Sequence, residues 1–118
     1  MNQDQIKDVL RKHRLWLECE EGGEKLDLHG EDLRGVDLHW ANLNEANLYG
    51  ANLYEVNLES ADLSYADLQH ANLCGALLRN ADLRGANMRH AKMYKRTMDE
   101  ASLTEEQRDG IIIIIKEA

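Results

Sequence analysis

From Leu26 to Glu105 the chain repeats a five-residue pattern of apolar and polar positions through sixteen consecutive units without a slip in register. The third position of each unit is Leu or Met without exception, from Leu28, Leu33 and Leu38 through Leu83 to Met88, Met93, Met98 and Leu103. Two residues earlier stands Ala in eleven units, and between them stands Asp or Asn in twelve. In extended chain, side chains alternate between faces, so the Ala and Leu positions point one way and the Asp/Asn and fourth positions the other. The fifth position breaks the alternation. The interior can stay interior only if the backbone turns a corner once per unit. A helix is excluded, because a period of five fits no 3.6-residue stripe.

Corners of about 90° close a square after four units, so one coil holds about twenty residues and the repeat holds about four coils. Glycine supports the corner: Gly30, Gly35, Gly50, Gly75 and Gly85 all occupy the fifth position. A type II turn needs a positive φ there, which Gly supplies without strain. Residues twenty apart are then expected to stack in columns about 4.8 Å apart. Glu59, Arg79 and Asp99 make one such column, read as an alternating charge ladder. Val36 and Val56 share another. Glu31 and Arg96, the charged residues at the small inward position, fall only in the first and last coils, where a side chain can reach water.

The motif A(D/N)LXX, seen in Ala41-Asn42-Leu43-Asn44-Glu45, Ala46-Asn47-Leu48-Tyr49-Gly50 and Ala61-Asp62-Leu63-Ser64-Tyr65, resembles the pentapeptide repeat protein family. The resemblance implies an all-β solenoid, a right-handed quadrilateral β-helix, and a non-enzymatic role in protein–protein interaction with the partner unspecified. Some members that protect bacteria against quinolones are acidic rods that mimic DNA and bind DNA gyrase, which gives an alternative reading here.

Three segments are expected: an N-terminal capping helix within 1–24, the β-helix over 25–105, and a C-terminal cap over 106–118. Residues 2–20 read as an amphipathic helix, with Ile6, Val9, Leu10, His13, Trp16 and Leu17 on one stripe. Asn2 with Gln5 suits a capping box, and Gly22-Gly23 mark the stop. Without a lid the first coil would expose Leu26, Leu28, Leu33 and Leu38, so the helix is expected across that end; binding another protein is the alternative. Thr104 to Gln107 begin a short helix ending near Gly110. Ile111, Ile112, Ile113, Ile114 and Ile115 then read as a strand, partly covering the Met88, Met93 and Met98 end of the core. Alternate side chains of five Ile point opposite ways. A homodimer formed through this segment covers the leftover face, or else the strand lies sandwiched between the end coil and the short helix.

At 118 residues the chain is one domain, and its net charge of −8 argues against general nucleic-acid affinity. Between Gly35 and Leu78 stand six acids and no Lys or Arg, whereas Arg79 to Arg96 hold six bases and one acid. That is a step from −6 to +5 along the tube, read first as internal compensation. The chain shows neither an apolar run of membrane length nor a secretory signal pattern. Two cysteines, Cys19 and Cys74, suit free thiols in a reducing cytoplasm.

The candidate binding residues are outward-facing. Tyr49, Gln69 and Arg89 share a column, His70 and His90 stack at the adjoining corner, and Tyr54, Cys74 and Tyr94 lie beyond it. Exposed Tyr and His grouped on two adjoining faces suit a protein interface, although Tyr is also simply a good strand residue. His70, His90 and Cys74 lack further ligands at metal-binding spacing, so neither a metal nor a cofactor is expected. No phosphate loop, HExxH or GxSxG motif is present, and no catalytic residue is assigned.

Overall fold

The computed structural model describes residues 1–116; of the segment assigned to 106–118, Glu117 and Ala118 lie outside the described residues. Between Leu26 and Tyr94 each five-residue unit makes one short side and one corner. Asp27, Asp32, Asp37 and Asn42 pair in parallel with Asn47, Asn52, Asn57 and Asp62, twenty residues on, and the pattern continues up to Asn72 with Lys92. The chain therefore climbs as a four-sided solenoid with a twenty-residue rung. Each side is too short for a continuous ladder, so most of the pairing occurs as isolated bridges.

Local chemistry builds each corner. The carbonyl of the central Leu accepts from the N–H three residues on, as in Glu31 to Leu28 at 3.1 Å. The repeat's Asp or Asn fixes the approach. All twelve use Oδ1 to accept the backbone N–H two residues ahead, at 2.9–3.2 Å. That Asx-turn bond is the reason for a short acceptor side chain at this position. The left-handed corner is not confined to glycine. Trp40, Glu45, Glu55, Ser60, Tyr65, His70, Asn80 and His90 all have φ between 58° and 63°. Each non-glycine residue there is in a conformation that L side chains adopt reluctantly, at a cost of about 1 kcal/mol or more. Two backbone bonds per side to the next rung offset it: Leu28 N–H donates to Asn47 at 2.8 Å and Asn47 N–H to Leu26 at 3.0 Å.

The central Leu and Met residues from Leu28 to Met98 are all buried and form one continuous core, with Ala46 to Ala91 and the pair Val36 and Val56 filling the small positions. Leu103, the last central residue, is only half-buried.

Helix α1 (Gln3–Leu17) has the expected capping box between Asn2 and Gln5. It buries Ile6 and His13, with Val9 and Leu10 packed on the core. Its polar groups occupy places a lower rung would fill. The Gln3 amide donates to Asp37 O at 3.1 Å and accepts from Asp37 N–H at 2.9 Å. His13 accepts from Leu26 N–H at Nδ1, 2.9 Å, leaving Nε2 to donate to Asn44 O at 2.7 Å. Gly23 lets the returning chain pass the helix backbone: a Cβ there would lie 2.4 Å from Trp16 N.

Two expectations fail at the other end. The repeat geometry stops at Tyr94 rather than Glu105. Strand β1 (Lys92–Tyr94) leads directly into helix α2 (Lys95–Glu100). Arg96, which stands at the small inward position, stays exposed there, while Lys95–Asp99 and Arg96–Glu100 pairs at 3.0 and 3.6 Å line the helix. Met98 and Ala101 still return to the core. The Glu59–Arg79–Asp99 ladder also does not form. Among the described residues all nine ion pairs join groups two to four residues apart, and Asp99 is taken by Lys95. A charge two residues away is already held by the turn, whereas a solvated column neighbour offers little.

Helix α3 (Glu105–Gly110) starts with the Thr104–Gln107 capping box. Strand β2 (Ile112–Ile114), shorter than the five-Ile run, then pairs in parallel with β1. Lys92 lies opposite Ile112, so the twenty-residue register resumes on this one side after the two helices.

Candidate interaction surface

The corner after Tyr49 carries an aromatic run. The rings of His70 and His90 stack at 4.9 Å between centroids, 19° from parallel, and Tyr49 meets His70 at 5.3 Å and 54°. Both histidines sit at left-handed corner positions one rung apart, which brings their rings into register. Tyr49 and Arg89 are held on the adjoining side by Asx bonds from Asn47 and Asn87, 3.0 and 3.2 Å, and all four side chains are exposed. The solenoid thus brings together Tyr49, His70, His90 and Arg89 on a rigid wall.

Tyr54 and Tyr94 stand apart from that group, at the far margin of the next side. Both are half-buried, and Cys74, read as outward-facing, is buried. A hydrogen bond to Tyr94, followed by Glu55, pushes the Tyr54 hydroxyl up to about 12. Burial raises the Cys74 thiol, against a smaller opposing pull from Lys92. Cys74 therefore resembles an inert filler more than a reactive thiol. The Lys116 ammonium lies 5.5 Å above the Tyr94 ring. The three tyrosines do not form one cluster.

Two larger exposed aromatics escaped the sequence reading. Trp40 is 76% exposed and Tyr65 67%, both at corners. Their fifth-position placement was the available signal, since a left-handed corner throws its side chain away from the wall. Tyr65 leans across Gly85, where a Cβ would come 2.4 Å from the ring.

The Ile segment is divided. Ile111 is buried, Ile114 half-buried, and Ile112, Ile113 and Ile115 exposed. Ile113, Ile114 and Ile115, with Leu77 and Tyr94, border an open groove of about 820 Å³ between β2 and α2. Charge on the walls is locally neutralised. Arg34 clamps Asp32 at 2.7 Å and holds its carboxyl down at about 2, and Arg84 lowers Asp82 likewise. Among the described residues no group of three or more His, Cys, Asp or Glu is arranged to hold a metal, and no helix is long and apolar enough to cross a membrane.

The family model for pentapeptide repeats matches residues 32–64 and 61–95. No curated protein matches the chain. Among solved structures, a pentapeptide repeat protein (Rfr23) from the cyanobacterium Cyanothece 51142 is 41% identical over 54% of this chain and 44% of its own, with a TM-score of 0.52. The chain thus spans less than half the length of that relative. A pentapeptide repeat protein from Nostoc PCC 7120 is 34% identical over 76% of this chain and 78% of its own, TM-score 0.41. HetL, a pentapeptide repeat protein involved in heterocyst differentiation regulation in Nostoc sp. strain PCC 7120, is 37% identical over 57% of this chain and 40% of its own, TM-score 0.25.

Proposed function

The chain belongs to the pentapeptide repeat family, and from that premise we propose that it is a non-enzymatic, cytoplasmic binding module whose partner is another protein. The single observation that carries this reading is the exposed ladder of Tyr49, His70 and His90 on a wall whose backbone is fixed rung to rung. Aromatic side chains on a rigid support lose little entropy on binding and supply large contact area, with Arg89 beside them as a charged anchor. The walls are flat and the interior is filled by Leu and Ala, an arrangement suited to recognition more than to chemistry. We read the solenoid as the right-handed quadrilateral β-helix of the family, about four coils over 25–105 with the last one diverted into α2, a capping segment over 1–24 and a second over 106–118.

DNA mimicry toward gyrase is not carried forward. Arg79, Arg84, Arg89, Lys92, Lys95 and Arg96 interrupt any continuous acidic row, and two of the wall carboxylates are already paired with arginine.

The test is affinity capture from the native cell with the protein as bait, alongside a variant carrying Tyr49→Ser, His70→Ser and His90→Ser. These side chains are exposed, so the circular dichroism of the variant should match the parent. The expected result is a specific protein retained by the parent and lost by the variant. Equal capture by a folded variant rules the ladder out. A parallel variant with Tyr54→Ser and Tyr94→Ser asks whether the second wall contributes, and a smaller loss is expected because both rings are half-buried.

A further inference from the structure

We propose that the groove between β2 and α2 is a binding site for an anionic amphiphile, a long acyl chain ending in a carboxylate. The unit Ala76-Leu77-Leu78-Arg79-Asn80 carries the first argument. From Asp27 to Asn87 the second position of every other unit is Asp or Asn. Leu77 keeps the backbone register: its N–H donates to Val56 O at 3.0 Å and its C=O accepts from Leu58 N–H at 2.9 Å. What it gives up is the turn bond. A leucine cannot accept from Arg79 N–H as the repeat's Asp and Asn accept from theirs, for example Asp82 from Arg84 at 3.1 Å. Nor is the side chain buried in return, since it stays 41% exposed. The departure leaves the free chain with one hydrogen bond fewer and more apolar surface in water. It falls where Ile113 and Ile115, 50% and 87% exposed, line the same groove. Large aliphatic side chains grouped around a concavity mark a binding site.

The lining decides the occupant. A volume of about 820 Å³ lies within the range of small-molecule sites. Protein interfaces concentrate their binding energy in aromatic anchors. Here Leu77, Ile113, Ile114 and Ile115 present aliphatic surface, and Tyr94 is half-buried with the Lys116 ammonium 5.5 Å above its ring. Charge chooses the headgroup. Lys95, Arg96 and Lys116 border the groove against Glu55 and Glu100, on a chain whose net charge is −8. Both acids are engaged, Glu55 with the Tyr54 hydroxyl and Glu100 with Arg96 at 3.6 Å. Lys95 is held by Asp99 at 3.0 Å, whereas Lys116 enters none of the nine ion pairs among the described residues. A carboxylate beside Lys116 gains a charge-assisted hydrogen bond while its chain covers Leu77 and Ile115.

An NMR titration of the full chain with dodecanoate, kept below its micelle-forming concentration, tests this. Saturable amide shifts are expected at Leu77, Thr97 and Ile113 to Lys116. Dodecanoate should bind more tightly than dodecanol, and dodecyltrimethylammonium least of all. Leu77→Asn restores the repeat's own residue, so by circular dichroism and thermal melting this variant should fold at least as well as the parent. It should nevertheless bind dodecanoate about tenfold more weakly, the loss of one buried leucine contact. Lys116→Glu should weaken dodecanoate binding and leave dodecanol unchanged. Absence of saturable shifts overturns the proposal, as does equal affinity for the cationic amphiphile or a folded Leu77→Asn variant that binds as the parent does. A parent that sediments as a pair and shows no shifts assigns the groove to a second copy. Loss of a captured protein on Leu77→Asn, with no dodecanoate shift in the parent, assigns it to a protein segment; either result sets the acyl chain aside.

Discussion

At the N-terminal end the first rung meets a helix whose side chains answer backbone groups of Leu26, Asp37 and Asn44, whereas the last rung meets two six-residue helices and a short strand. Gln3 and His13 act there as substitutes for peptide groups that a lower rung would supply. At the other end Gln107 does part of the same work, donating to Leu83 O at 2.8 Å and Ala86 O at 3.1 Å, and Thr97 Oγ1 accepts from Gly75 N–H at 3.1 Å. The remainder is a strand that, among the described residues, pairs on one side alone. The difference teaches that covering a solenoid's apolar end and satisfying its backbone are separate tasks. Met98, Ala101 and Ile111 cover the C-terminal end of the core, yet among the described residues no strand pairs with the outer edge of β2.

Removing His13 should break the contrast most severely. His13→Ala leaves two backbone groups without partners and a void in a buried site, at a cost of about 2–4 kcal/mol. Urea unfolding checks this, and a loss below about half a kcal/mol would show that α1 merely rests on the rung. A smaller effect is expected from Gln3→Ala, about 0.5–1.5 kcal/mol, because its two bonds are exposed. Amide exchange at Asp37 should accelerate, while amides near Leu83 keep the parent's protection. Gln107→Ala is the mirror experiment, and its acceleration should be confined to the other end.

The smallest effect concerns pH. The Asp27 carboxylate, 2.6 Å from the ring, raises the His29 pKa above 6.5, and the His29 hydrogen bond lowers Asp27 below 3.8. Stability from this pair is full between those two ordinary values. It is lost as pH rises through the elevated His29 value and as pH falls through the depressed Asp27 value. Both groups are solvated, so the change should be visible in an NMR titration of His29 rather than in unfolding. Asp27→Asn should return His29 to its ordinary range; an unmoved midpoint would exclude the pairing.

Much of this was legible because one position per unit can only point inward. Leu28 through Met93 had no other place, and the twenty-residue period predicted the His70–His90 stack. The departure at Lys95 was harder to see, since Met98 and Leu103 keep the spacing of the central residue. Its signals were Arg96 at a position that Ala holds in eleven units and the i,i+4 charge pairs that favour a helix. The burial of Cys74 lay beyond pattern reading, because it follows from where the side chains around it settle and no repeat dictates that. Equally, the Glu59–Arg79–Asp99 column assumed that vertical neighbours pair. The actual pairs follow the Asx turns, as in Asp32 with Arg34 and Asp82 with Arg84.

Those Asx turns have a consequence for how such a chain can change length. Because twelve of the corners are closed by the residue two places before them, a storey of the tower carries its own instructions and borrows none from the ends. Duplicating a block such as residues 45–64 would lift the roof by about 4.8 Å and leave the foundations and the roof themselves as they were. A block whose length is not a multiple of twenty would rotate one end against the other and turn the aromatic corner to a different compass point.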